Sequence, residues 1–170
     1  MIRRFLLWLT ARLPVREIAH NGTVFLERYN VGVLGDWRFY IHRFIASDPD
    51  GVHDHPWRWG VSIILSGWYM EARRDGMRVR RWGNMVNGDT FHRVMISPGG
   101  EAWTLFAHTR RVKPWGMLRP AQHPGYYGAR EDGTGEARIT HVCVEQNGAD
   151  PEHSTWHLSA PKGRDIRRST

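Results

Sequence analysis

Along most of the chain, apolar and polar residues alternate in short runs broken by Gly, Pro, Asn and Asp, a pattern of strands and turns rather than helices. The exception is Met1–Leu13 (MIRRFLLWLTARL), which reads as a helix packed on the body and ending near Pro14. Thr23–Tyr29, Trp37–Ala46, Trp59–Leu65, Trp68–Arg73, Met77–Trp82, Thr90–Ile96 and Ala102–Ala107 read as strands, several of them rich in aromatic and β-branched residues. Asn21-Gly22, Ser66-Gly67, Asp75-Gly76 and Pro98-Gly99-Gly100 mark turns, and Gly83–Gly88 (GNMVNG) reads as a loop. Arg111–Leu118 is a further strand that Pro114 confines to an edge or a bulge, and Arg138–Glu145 is the last. Between those two, Pro120–Glu136 is a polar, Gly-rich loop of a length that suits a lid over a pocket. Many short strands at regular spacing predict an all-β fold, an antiparallel barrel or double-sheet sandwich. Its core spans about residues 23–145 of a single domain, and a basic tail, 162–170 (KGRDIRRST), is expected to be mobile.

Composition narrows this picture only slightly. A chain of 170 residues can bury a sizeable core without disulfides, and its one cysteine, Cys143, excludes an internal disulfide framework. Cys143 lies in an alternating run and reads as a packed thiol; cysteine usage of this kind fits a reducing, cytoplasmic compartment. No stretch is long and apolar enough to span a membrane, and Arg12 interrupts the N-terminal apolar run before a signal-peptide pattern is complete. Lys and Arg exceed Asp and Glu by 24 − 17 = 7, nearly all of the excess being arginine. Such a balance suits nucleic acid, an anionic substrate or plain solubility, and charge does not choose among them.

Candidate chemistry centres on His53-Asp54-His55-Pro56-Trp57. In an extended segment two histidines one residue apart share a face, so both imidazoles reach one ion, which a helix would not allow. Neutral imidazole nitrogen suits divalent transition metals. A third ligand is wanted from another strand, and His92, after the Gly88-Asp89 turn, is the leading candidate, with His108 a spare. His42 reads instead as a packing or hydrogen-bonding histidine. Asp54 should point away from the ligands and bond backbone or a neighbouring arginine. Trp57 and Trp59 share the ligands' parity, as pocket wall or as core. Arg93 and the cluster Arg110, Arg111 and Lys113 ahead of Trp115 could pair with a carboxylate or phosphate, or be solvated strand ends; the arginine-rich hairpin Arg73–Arg81 reads as a solvated edge.

His53-x-His55 followed by an apolar strand and Gly67, then Gly88-Asp89 and His92, resembles the two metal-binding motifs of the cupin superfamily over roughly Trp37–Met117. The segments HDHPW, FHRV, WTLF and RRVKPWGM together resemble a group of small uncharacterised cupin-like proteins of bacteria and phages. The resemblance implies a cupin-type jelly-roll barrel enclosing a mononuclear transition-metal site. The chain departs from the family's pattern in two places: Trp59 and Gly60 stand where the first motif carries a glutamate, and Asn87–Phe91 replaces the proline and glycine ahead of the second motif's histidine. The missing acid leaves an all-histidine triad, as in the thiol dioxygenase branch. By that resemblance the metal is Fe(II), with Zn, Mn or Ni as alternatives. The implied protein is a metal-dependent dioxygenase, an oxidoreductase acting on a small anionic molecule held by Arg93, Trp57, Arg110, Arg111 and Trp115. The alternatives are a non-catalytic metal- or anion-binding module, taking nucleic acid or a phosphorylated ligand, and a cupin isomerase or lyase. A homodimer stays open, and nucleic acid is the less favoured partner.

Overall fold

The computed structural model describes residues 1–49, 51–113, 115–120, 139–145 and 156–167, with the backbone alone for 117–120 and 139–145. The expected N-terminal helix forms as α1, Ile2–Thr10. Leu6 and Thr10, four apart and therefore on one side of the helix, are its buried residues, and Thr10 Oγ1 donates to the Leu6 carbonyl at 2.7 Å.

The strands follow as β1 (Val15–His20), β2 (Thr23–Leu34), β3 (Trp37–Phe44), β4 (Trp59–Ser66), β5 (Tyr69–Arg73) and β6 (Gly76–Arg80). They continue as β7 (Gly83–Asn87), β8 (His92–Met95), β9 (Ala102–His108), β10 (Trp115–Pro120) and β11 (Ile139–Glu145). Asn21 and Gly22, both at positive φ (48° and 79°), close the β1–β2 hairpin. Two strands go beyond the sequence reading. β1 was passed over, and β7 forms where a loop was expected. Its Asn- and Gly-rich sequence carries little strand preference, yet pairing with β4 holds it extended. Gly83 is required there, because a Cβ would lie 2.7 Å from the Ser62 carbonyl oxygen.

One sheet has six strands in the order β1-β2-β3-β9-β4-β7, with antiparallel pairing throughout. Facing it are β6-β5-β8 and β10-β11. The segment carrying the histidine motif joins these two: His53 pairs with His92 on β8, and Asp54 N donates to the Gly116 carbonyl on β10 at 2.9 Å. His53–Trp57 is thus an extended connector held by isolated bridges, not the start of a regular strand. Pro56 has no N–H to offer a ladder. The fold is the all-β, antiparallel jelly-roll barrel expected from sequence, with a short N-terminal helix.

The large sheet's two faces do different work. On its outer face Tyr29, Ile41 and Trp103 bury against Leu6 and Val15, with Leu9, Leu13 and Ile166 packed around them. On its inner face His42, Thr104 and Phe106 look into the barrel. The described part of the C-terminal tail, Lys162–Arg167, belongs to the outer layer. Short helices α2 (Trp156–Ser159) and α3 (Gly163–Ile166) form there, and Arg167 donates to Leu7 O at 2.8 Å, Thr10 Oγ1 at 2.6 Å and Tyr29 Oη at 2.9 Å. Leu7 O, in the last turn of α1, already accepts from Ala11 N at 3.1 Å, and its second lone pair takes the tail arginine. The loop expected at Pro120–Glu136 lies almost wholly outside the described residues, as do Pro114 and the side chain of Cys143.

Gly163 packs so closely that a Cβ would collide with the Thr10 carbonyl and lie 2.7 Å from the Tyr29 ring. Gly163→Ala should therefore cost about 1–3 kcal/mol, read as a lowered urea midpoint. Unchanged stability would mean that the tail does not dock on α1.

Candidate metal centre

His53 and His92 exchange both backbone hydrogen bonds, His53 N to His92 O at 3.0 Å and His92 N to His53 O at 2.8 Å. Residues facing each other in such an antiparallel pair send their side chains to the same side. His55, two residues along the extended connector, shares that side with His53. The three imidazoles therefore converge, with ring centroids 5.2 Å apart for His53 and His55, 5.9 Å for His53 and His92, and 4.8 Å for His55 and His92. One ring nitrogen from each lies within 4.8 Å of the other two; among the described residues this is the one such group of three metal-ligating side chains.

Neighbouring acceptors set the tautomers. His53 Nδ1 lies 3.0 Å from the Gly51 carbonyl, and His92 Nδ1 lies 2.7 Å from Glu71 Oε1. Both Nδ1 atoms must donate, since a carbonyl and an ionised carboxylate only accept, so each Nε2 keeps its lone pair. His55 Nε2 stands 2.6 Å from His92 Nε2, while His55 Nδ1 is buried and makes no hydrogen bond. Three neutral imidazoles, two with lone pairs already oriented by their other nitrogen, fit a divalent transition ion.

Glu71 is the support that sequence reasoning missed. It is fully buried on β5, which pairs with β8, and besides His92 it accepts from Arg80 Nε at 2.7 Å, Asn84 Nδ2 at 2.6 Å and Arg73 Nη2 at 3.2 Å. Burial alone would raise its carboxyl, but the hydrogen bonds from His92, Arg73 and Asn84 hold it well below the usual carboxylate range. The hairpin read as a solvated edge thus turns two of its arginines inward to hold this acid.

Asp54 points away from the centre as expected, accepting from Lys113 Nζ at 2.5 Å and from Gly116 N at 2.6 Å. The backbone partner is of the expected kind, and the side-chain partner is a lysine rather than an arginine. The three histidines open onto a cavity of about 420 Å³, whose walls include Trp57, Phe106, Trp115, Arg28 and Arg111. His55 stacks on Trp57 with centroids 4.1 Å apart. Of the residues expected to meet a ligand, Trp57, Arg111 and Trp115 line this cavity, whereas Arg93 and Arg110 do not. Arg93 alternates with His92 and donates to the Asp48 carbonyl at 2.8 Å, and Arg110 is exposed, 4.0 Å from Asp36. Trp59 faces outward, since Gly60 and Ser62 take the inward positions of β4.

His108 lies outside the triad, its Nδ1 2.7 Å from Thr109 O and its ring stacked on Trp57. His42, read as a packing or hydrogen-bonding residue, lines the cavity and accepts from Arg28 Nε at 3.1 Å. Burial, then Arg28 and His108, push its pKa well below the ordinary histidine value; burial, then His92 and His53, do the same for His55.

No protein-family model matches the sequence, and no curated protein matches it. Solved structures match in fold. The polyketide cyclase RemF from Streptomyces resistomycificus aligns with TM-score 0.50 at 11% identity, over 60% of this chain and 78% of that one. A cupin-2 domain from Rhodospirillum rubrum gives 0.49 at 10% identity over 59% and 72%. A sugar phosphate isomerase of the cupin superfamily from Silicibacter pomeroyi gives 0.44 at 15% identity over 54%, with this chain spanning 63% of that protein's length. Fold and site together define a class: an antiparallel jelly-roll barrel with a three-histidine cluster suited to a divalent metal.

Glu71→Gln keeps the shape and removes the charge that orients His92, so metal affinity should fall roughly 10–100-fold in a competition titration against a chelator. Acid should also weaken the metal-free fold. Because His42 and His55 titrate lower when folded, the unfolded chain takes up protons that the folded chain refuses as pH drops through about 6.5. Melting midpoints should decline between about pH 7 and about pH 5; a flat profile would contradict the neutral, buried state of both rings.

Proposed function

We propose that this protein is a mononuclear metal enzyme, an Fe(II)-dependent dioxygenase acting on a small anionic organic substrate. One observation carries the reading: the nitrogens of His53, His55 and His92 converge on a cavity of about 420 Å³, a size that suits a small molecule. When bound, the ion supplies Lewis acidity and the redox chemistry that dioxygen requires, neither of which any side chain here offers.

The remaining work falls to the protein. Arg111, whose Nε is held by the Lys113 carbonyl at 3.1 Å, presents a guanidinium to the cavity for a carboxylate or a similar anion. Trp57 and Trp115 provide apolar walls that orient the substrate and exclude water. Glu71 and the Gly51 carbonyl keep Nδ1 of His92 and of His53 protonated, so the opposite nitrogens remain available.

The test loads metal-free protein with ferrous ion and follows oxygen uptake across thiols and small carboxylic acids. His92→Ala should lose most bound metal by elemental analysis while keeping its circular dichroism. Arg111→Lys should weaken ligand binding although charge is conserved. Salt-sensitive DNA or RNA binding that persists without metal, with no oxygen uptake for any compound, would replace this reading with an anion-binding module.

A further inference from the structure

The outer face of the large sheet is covered over only part of its width. Tyr29, Ile41 and Trp103 pack with Leu6 of α1, and the charged residues of that part neutralise one another, Arg43 lying 3.1 Å from Glu27 and 2.9 Å from Glu101. Beyond α1 the same face continues, uncovered among the described residues. Gly60 and Ser62 take the inward positions of β4, so Trp59, Val61 and Ile63 point outward. The ladders carry this parity sideways. Val61 pairs with Ala107 and Met85, Ala107 with Phe39, and Ile63 with Leu105. Leu34 and Trp37, paired where β2 turns into β3, extend the same surface. None of these side chains is charged, although Trp59, Ile63, Met85 and Leu34 are 40%, 54%, 63% and 74% exposed. Charge reappears at the border, where Asp36 and Arg110 stand 4.0 Å apart. A sheet face that stays in water is ordinarily polar, and a contiguous apolar one marks a contact surface.

We propose that this face binds the same face of a second copy of the chain, forming a two-fold symmetric dimer. A two-fold contact sets a patch against itself, so every charge on it would meet its like. A charge-free patch lets two chains, each of net charge +7, come together without that repulsion. Nucleic acid or an anionic membrane would instead need arginine or lysine within the patch. Size agrees with a second copy. Across β2, β3, β9, β4 and β7, strands about 4.8 Å apart, and along about five residues of each, the face measures about 24 Å by about 17 Å. That is about 400 Å² in flat projection. A specific interface takes at least about 500 Å² of accessible area from each partner. Side chains standing off a sheet carry more accessible area than their projection, so the face meets that need. Two such sheets stack about 10 Å apart with their side chains interdigitated. Ala107, small between Phe39 and Val61, leaves room for a side chain of the partner subunit.

Sedimentation velocity of the full chain over a wide range of concentration is the test, with folding checked by circular dichroism. Wild type should sediment at twice the 19.8 kDa of one chain. The double variant I63E/M85E sets like charges against each other across the interface, and I63K/M85K does the same with the opposite sign. Each alone should dimerise at least about tenfold more weakly, whereas an equimolar mixture of the two should recover the dimer. L158E, an exposed position on α2 rather than on the sheet, should leave the dimer intact. A wild type that stays monomeric overturns the proposal, as does a dimer that survives I63E/M85E or is lost equally in L158E. Assemblies that grow past the dimer with concentration overturn the two-fold arrangement, and a mixture that stays monomeric does so too. If the double variants do not fold, M85E takes their place, and an unchanged dimer in folded M85E overturns the proposal equally.

Discussion

The constraint on which the site depends is the pair of backbone hydrogen bonds between His53 and His92. They set the connector in register with β8, and side-chain direction follows from the antiparallel geometry rather than from any property of the imidazoles. A slip of one residue would turn His92 to the opposite side and bring Arg93 to the cavity in its place. The register is defended from both flanks. Gly116 receives Asp54 N and returns a hydrogen bond to its carboxylate on one side, and β5 pairs with β8 on the other.

Glu71 adds an electrostatic layer to this geometry. A fully buried carboxylate is costly unless charge and hydrogen bonds compensate it, and here Arg73, Arg80, Asn84 and His92 all do so. The hairpin of β5 and β6 and the neighbouring β7 are thereby coupled to the orientation of one ring. That coupling explains why an arginine-rich hairpin, ordinarily a solvated edge, is continuous with the centre. It also shows that an acid can serve the site from outside the histidine motif: Glu71 supports His92 from behind.

The other face of the large sheet keeps the barrel's interior open for chemistry. Stability there comes from Leu6, Val15, Tyr29, Ile41 and Trp103, each of the larger side chains worth about 1.5–3 kcal/mol on full burial. With α1 and α3 packed on that side, the inward face can afford a cavity walled by histidine, arginine and threonine instead of a close-packed apolar core. Arg167 joins the layers by meeting the end of α1 and the Tyr29 hydroxyl at once.

By itself the sequence determined the all-β class, the N-terminal helix, most of the strands and turns, and the three histidines that the fold brings together. Those features rest on local rules: period-two alternation, turn residues with positive φ, and the shared face of His-x-His. It also identified Trp57, Arg111 and Trp115, which line the cavity, because they sit close in sequence to the motif or to the strand that pairs with it. Only the tertiary structure decided that His92 rather than His108 stands beside His53, that β7 is a strand despite its Asn and Gly, and that Arg93 and Arg110 turn elsewhere. The same holds for Glu71. Its role depends on which strand lies next to β8, and such long-range pairings leave no periodic trace in the residues that make them.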